Sequence, residues 1–171
     1  VCFPGCAAGW VRTSAHICAN AVYDAAGNTT GYGSTSFTYN DRGRMSTAVT
    51  SSGTTRYFYD AIGEMFQKIG STTTFLVHDE DGHLIGEYAS NGALIQETVW
   101  LEDMPVATLR PNGTGITTYF VETDQLNTPR QVARTTDHRS VWTWNPDPFG
   151  SVASNQNPNG FGTFIYNLRF P

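Results

Sequence analysis

The sequence predicts an all-β protein, built of repeated antiparallel β-hairpins that join into a coiled, curved sheet. Three observations predict it. A ring–Asp/Asn–x–x–Gly turn recurs along the chain. The segments between the turns are rich in β-branched and aromatic residues. Helical Ala/Glu/Lys/Leu periodicity is missing, while glycine is abundant at 17 of 171 residues.

The repeat is read directly. Tyr23-Asp24 with Gly27, Tyr39-Asn40 with Gly43, Tyr59-Asp60 with Gly63, and His78-Asp79 with Gly82 are successive units. Their rings fall at 23, 39, 59 and 78, separated by 16, 20 and 19 residues. His78 substitutes for Tyr in the ring slot. Trp100 holds the next slot without a Gly; a unit opening at Phe120 has Asn127 in the Gly position; and Trp144 to Gly150 is a further variant. Asn tolerates the left-handed conformation better than most residues.

Each unit reads as strand, turn, strand. The Asp side chain accepts a backbone N–H and Gly takes positive φ. Arg56 to Tyr59 reads as an ingoing strand and Met45 to Thr50 as an outgoing one. Second turns at Ser51-Ser52-Gly53, Ser90-Asn91-Gly92 and Pro111-Asn112-Gly113 return the chain. Gly31-Tyr32-Gly33 reads as a turn and not as a phosphate loop. Hairpins of this length add edgewise into one antiparallel sheet. One face is expected to carry the rings Tyr23, Tyr39, Tyr59 and Trp100, and the other Thr, Ser and Arg. A single layer cannot bury both faces unless it curls around something.

Charge narrows the partners. The net charge is −5, and Lys68 is the chain's single lysine. Nucleic-acid binding through phosphate contacts is therefore not expected. No apolar run reaches the roughly 20 residues that span a bilayer. Few lysines also leave sheet edges without their usual guard, so self-association through the edges is expected.

The chain opens Val1-Cys2-Phe3-Pro4 with no signal-peptide pattern and stops at Asn167-Leu168-Arg169-Phe170-Pro171 after a strand-like run, which reads as a piece of a longer protein. Cys2, Cys6 and Cys18 are its three cysteines. They could form one disulfide and one free thiol, remain unligated, or join His16 around zinc, although that spacing is not a familiar zinc pattern.

Tyr-Asp-x-x-Gly at this interval resembles the YD repeats of Rhs proteins, wall-associated proteins and teneurins. Glu122-Thr123-Asp124-Gln125-Leu126-Asn127-Thr128-Pro129-Arg130 resembles the Rhs-associated H-x-D-x-L-G-x-P-R pattern. Val141-Trp142 to Asp147-Pro148-Phe149-Gly150 and Asn167-Leu168-Arg169-Phe170-Pro171 resemble its continuation. Glu122 replaces the family's His and Asn127 its Gly, so no role of that His transfers. Leu126 is expected to pack inward and Pro129 to set the turn.

The resemblance implies three parts: a cysteine-containing segment at 1–18, YD hairpins at 19–118, and an Rhs-associated core segment at 119–171 that stops before the self-cleavage motif of polymorphic toxins. It implies a secreted or cell-surface bacterial protein whose shell encloses or displays a C-terminal effector. Its partners are then that effector and the rest of the parent chain, and its role is structural, with no catalysis and no cofactor.

No Gly-x-Ser-x-Gly elbow exists. Asp79-Glu80-Asp81-Gly82 begins like a Ca²⁺ loop, but Ser90 stands where the distal Glu belongs, so it reads as a solvated turn. Asp24, Asp60 and Asp79 occupy the same slot of successive turns, which points to structure rather than to a glycosidase pair. The second reading is a carbohydrate- or surface-binding module. Its candidate contacts are Trp100, Trp142 and Trp144. Trp142 and Trp144 share one strand face, and they either form an exposed sugar platform or line a buried interior.

Overall fold

The computed structural model describes residues 10–12, 18–147 and 150–169. Cys2, Cys6, His16 and the Cys18 side chain lie outside the described residues, and so do the disulfide and zinc readings. The strands are β1 (Trp10–Arg12), β2 (Cys18–Tyr23), β3 (Thr29–Tyr32), β4 (Thr35–Tyr39), β5 (Met45–Thr50), β6 (Gly53–Tyr59) and β7 (Met65–Ile69). They continue as β8 (Thr73–His78), β9 (Leu84–Ala89), β10 (Leu94–Leu101), β11 (Met104–Asn112), β12 (Gly115–Thr123), β13 (Pro129–Arg134) and β14 (Ser140–Thr143). Strand order in the sheet is chain order. The chain is an all-β antiparallel meander that divides into two compact units, Val1–Phe75 and Leu76–Pro171. The expected division at 118/119 falls inside β12.

Five repeat turns share one device, an Asp or Asn side-chain oxygen that accepts two backbone N–H groups ahead of it. Asp24 Oδ1 accepts the backbone N–H of Ala26 and of Asn28, both at 2.9 Å. Asn40 does the same for Arg42 and Arg44 at 3.0 Å. Asp79 takes Asp81 at 3.0 Å and His83 at 2.9 Å. Asp124 takes Leu126 at 2.9 Å and Thr128 at 3.0 Å. Asp60 takes Gly63 at 2.6 Å and Glu64 at 2.9 Å. The residue three after the acid turns left-handed: Gly27, Gly43, Gly63 and Gly82, and Asn127 at φ 60°.

Two regularities accompany the turn. First, the register shifts at Val22/Tyr23, Thr38/Tyr39, Phe58/Tyr59 and Glu122/Thr123. The outgoing strand therefore carries one extra residue just after each of these turns, a β-bulge that bends and twists it. Second, the ring of one unit is pinned to the unit before it. The Tyr39 hydroxyl donates to the Thr29 carbonyl at 2.8 Å, Tyr59 to Met45 at 2.9 Å, and Trp100 Nε1–H to Leu84 at 3.2 Å. Each acceptor stands six residues after the preceding ring (23 to 29, 39 to 45, 78 to 84).

The structure corrects several local expectations. Gly31 and Tyr32 belong to β3, and the tight turn lies beyond them. Pro111 and Asn112 continue β11, paired with Ile116 and Gly115. Leu126 is 66% exposed and does not pack inward, because it sits at the apex of its turn, where side chains face water. Pro129 is the buried first residue of β13 rather than a turn residue, a position where proline gives up no interior ladder bond. Thr123, not Phe120, fills the ring slot before Asp124. Phe120 faces the other way and stacks on His138 at 5.9 Å.

The ring face alternates with a second face along each strand. In the first unit Thr35, Phe37 and Tyr39 are half-buried on β4, and Thr55, Tyr57 and Tyr59 on β6. The opposite face carries the expected Thr54 and Arg56, but also Val22, Val49, Phe58, Phe66 and Phe75, all exposed. Among the described hydrophobic residues of this unit only Ala21 and Ala48 are buried. The second unit has a true core of Val121, Val132, Val141, Trp142, Trp144, Phe164 and Tyr166.

Removing one ring hydroxyl tests the pinning. Tyr39→Phe and Tyr59→Phe are each expected to lower stability by about 1 kcal/mol in urea titration, the net worth of one hydrogen bond. At the turns, Gly43→Ala is expected to cost roughly 1–2 kcal/mol of left-handed strain. Gly63→Ala should cost more, because φ 103° lies further outside the left-handed well of L-residues than φ 72° at Gly43, and a Cβ there also displaces the end of the Arg44 side chain. Equal costs would contradict that difference in backbone strain.

Candidate functional site

The turns that follow the rings are laced to one another by side chains. Arg42 Nη1 donates to the Ala61 carbonyl at 2.6 Å, and Arg44 Nη2 reaches Ile62 at 3.5 Å. Both arginines belong to the Asn40 turn and both carbonyls to the Asp60 turn. In the second unit His83 of the Asp79 turn reaches Asp103 of the next turn at 3.1 Å. The lacing works because the meander sets turns roughly one repeat apart side by side, within reach of a long side chain.

Three of the turn acids, Asp24, Asp79 and Asp124, are held ionised by the hydrogen bonds they accept. Asp24 lies below the ordinary carboxylate range, held there first by the Asn28 side chain and then by backbone N–H groups. At Asp79 burial pushes upward, but the His83 backbone N–H and imidazole outweigh it. At Asp124 burial is likewise outweighed by the N–H groups of Leu126 and Thr128, with Arg130 adding its charge. Arg130 also pairs directly with Asp124 at 2.9 Å.

The ring face of the second unit is covered by the chain's own C-terminal segment. Phe164 and Tyr166 are buried and alternate inward from an extended stretch, with Leu168 packed against the same cluster. The strand-like run expected there is extended, yet it lies over the sheet instead of pairing into it. Phe164 meets Tyr119 edge-on at 4.9 Å, and Tyr166 meets Trp142 edge-on at 5.4 Å. The same segment guards the outer edge of β14. Thr143 and Asn155 exchange backbone hydrogen bonds at 2.9 and 2.8 Å, and Asn159 Nδ2 donates to the Ser140 carbonyl at 2.9 Å.

The candidate contacts therefore separate. Trp142 is 0% exposed and Trp144 4%, and the Arg169 guanidinium stands 5.1 Å from each indole. Neither offers a face to a sugar. Trp100 is half-buried and stacked on His83 at 4.6 Å, far from them in the fold's element order. Aromatic and polar groups instead meet around a cavity of about 500 Å³ lined by Asn112, Thr117, Tyr119, Arg134, Phe161 and Phe164. The sequence shows no motif for it, because its walls come from four strands, β11 to β14, and the C-terminal segment.

Beneath that segment lies a buried polar chain that sequence reading missed. The Glu87 carboxylate accepts from Gln96, and Gln96 accepts from Arg110. Arg110 also donates to the Ile165 carbonyl, and Asn167 Nδ2 donates to Glu87 at 3.2 Å. The Arg110 guanidinium lies 3.8 Å over the Phe164 ring. Burial pushes Arg110 down from its ordinary value, while Glu87 works against the shift. Buried charges persist when paired and bonded in this way, so the chain fixes where the segment docks. Its members lie on β9, β10 and β11, and only the sheet register brings them together.

Asp79, Asp81 and His83 bring three potential ligand atoms within 4.8 Å of one another. Both imidazole nitrogens are committed to carboxylates, Nδ1 to Asp79 at 3.0 Å and Nε2 to Asp103 at 3.1 Å. Hydrogen bonding accounts for the cluster, and we assign no metal to it. No family model matches the chain, and no curated protein matches it.

The docked segment gives a paired test. The Tyr166 hydroxyl is buried with no hydrogen-bond partner among the described residues, and burial pushes its ionisation far above the ordinary tyrosine value. Tyr166→Phe is expected to leave thermal stability unchanged or raised, since an unsatisfied buried group is removed. Trp142→Ala is expected to cost about 3–5 kcal/mol. A loss of more than about 1 kcal/mol in Tyr166→Phe would show that the hydroxyl has a partner.

Proposed function

We propose that the chain is a wall segment of a YD-repeat shell, which encloses or displays an effector continuous with the same parent protein. The wall acts by exclusion: a hydrogen-bonded sheet keeps protease and solvent from its contents. The observation that carries this reading is the recurrent coupling of neighbouring repeats, by ring-to-carbonyl bonds from Tyr39, Tyr59 and Trp100 and by side-chain laces from Arg42, Arg44 and His83. Such coupling builds an extendable array, which is what a wall requires.

Three further observations support it. The recurrent bulges supply the bend and twist from which a coiled sheet is made. The ring face of the first unit is half-exposed and has no second layer of its own among the described residues, as suits the inside of a wall that meets its contents. The repeat acids are spread one per turn with their oxygens given to backbone N–H groups, which speaks for a non-enzymatic role. We place the parent protein outside the cell or at its surface. Self-association would use a sheet edge other than that of β14, which the C-terminal segment occupies.

The second reading keeps the cavity beside Tyr119 and Phe161 as a sugar-binding hollow, since the buried Trp142 and Trp144 no longer serve it. One experiment separates the two. In the parent protein, Arg42→Ala with Arg44→Ala is expected to speed protease digestion of the enclosed effector while the wall stays folded. Unchanged digestion would overturn the wall reading. Glycan-array binding lost in Phe161→Ala would favour the module.

A further inference from the structure

We propose that His83 is a pH-dependent lace between two neighbouring turns of the second unit, closed while its imidazole is protonated and released when it loses that proton. This does not rest on the shell reading; it would hold for any role of the chain.

The geometry supplies the reason. Nδ1 lies 3.0 Å from Asp79 Oδ2, and Nε2 lies 3.1 Å from Asp103 Oδ1. A neutral imidazole has one N–H and one lone pair. It can donate to one of these carboxylates, but its lone pair then faces the oxygens of the other. Only the imidazolium donates to both. The ring cannot turn aside easily, because it stacks on Trp100 at 4.6 Å with 24° between the planes. Trp100 is itself tied through Nε1–H to Leu84 at 3.2 Å.

The two ends of the lace are unequal. Asp79 is anchored by its own turn, since its other oxygen accepts two backbone N–H groups. Asp103 is 84% exposed and held by nothing comparable. Loss of the proton is therefore expected to keep the Asp79 bond and release Asp103. The turn that Asp103 occupies is under tension of its own, because its neighbour Glu102 adopts φ 52°. The charged groups facing the imidazole are all acidic: Asp79 and Asp81 from its own turn and Asp103 from the β10–β11 turn. All of them favour the cation.

The sign follows. The Asp79 hydrogen bond raises the affinity of His83 for its proton above the ordinary histidine value; burial opposes the rise, and the Asp103 bond adds to it. The lace is thus fully closed below the unfolded-state value of about 6.5 and is lost as pH rises through the higher folded-state value. The laces of the first unit are made by guanidinium groups and this one by an imidazole, so this one loosens by itself.

The test is an NMR titration of the chain labelled with ¹⁵N at histidine. His83 is expected to titrate at higher pH in the folded chain than in urea. Asp103→Asn should bring its midpoint part of the way back, and Asp79→Asn further. The amide resonances of Asp103 and Met104 should shift along the same curve and stay flat in His83→Gln. If His83→Gln fails to fold, Asp103→Asn supplies the same comparison, because its own turn is otherwise intact. A His83 midpoint at or below its urea value would overturn the proposal. So would Asp103 and Met104 amides that ignore the titration.

Discussion

The Asp or Asn side-chain oxygen that closes these repeat turns is the constraint on which the rest of the structure depends. One side-chain oxygen accepts two backbone N–H groups, and the backbone adds a further bond from the acid's own N–H to the carbonyl four residues on, as in Asp24 to Asn28 at 3.0 Å. With that oxygen committed and the third residue after it left-handed, the chain reverses with a fixed number of residues. That number is odd with respect to the strand pairing, and the bulge after the turn absorbs the difference. The bulge in turn decides which residues share the ring face. The turn, the register and the two faces are therefore one decision.

From that decision comes the coupling between repeats. Fixed register carries the ring of one unit to the same carbonyl of the unit before it, and fixed turn length brings adjacent turns within reach of Arg42, Arg44 and His83. No single bond of this kind is large. Recurring between neighbouring repeats, they add to the backbone ladder of strands that bury little apolar surface in the first unit. The second unit adds a conventional core where the C-terminal segment lies over the rings, positioned by the buried Glu87–Gln96–Arg110 chain.

Much of this was legible in the residues. The β5 strand was readable end to end as Met45 to Thr50, and the turn chemistry of Asp24, Asn40, Asp60 and Asp79 followed from Asx and Gly preferences alone. What stayed hidden depends on register. Nothing in the sequence near Tyr59 names Met45 as its acceptor, or near His83 names Asp103, because those pairings join residues 14 and 20 positions apart. The same cause misplaced the ring slot at Phe120, since the Phe–x–x–Thr–Asp spacing mimics a ring three residues early. Leu126 was misread by treating hydrophobicity as burial at a turn apex. The sharing of a face by Trp142 and Trp144 was readable from their spacing, but whether that face met water depended on a segment some twenty residues downstream. The polar chain was invisible for a related reason, as Glu87, Gln96 and Arg110 each look like ordinary surface residues in a strand.

Native-state hydrogen exchange tests the central claim most directly. If the Asp and Asn turn oxygens organise the sheet, the amides of Asn28, Arg44, Glu64, His83 and Thr128, each bonded to the side chain four residues before it, will exchange as slowly as amides inside the neighbouring strands. Exchange of these amides at the rate of free loops, with the strands still protected, would show that the strands hold the turns rather than the reverse.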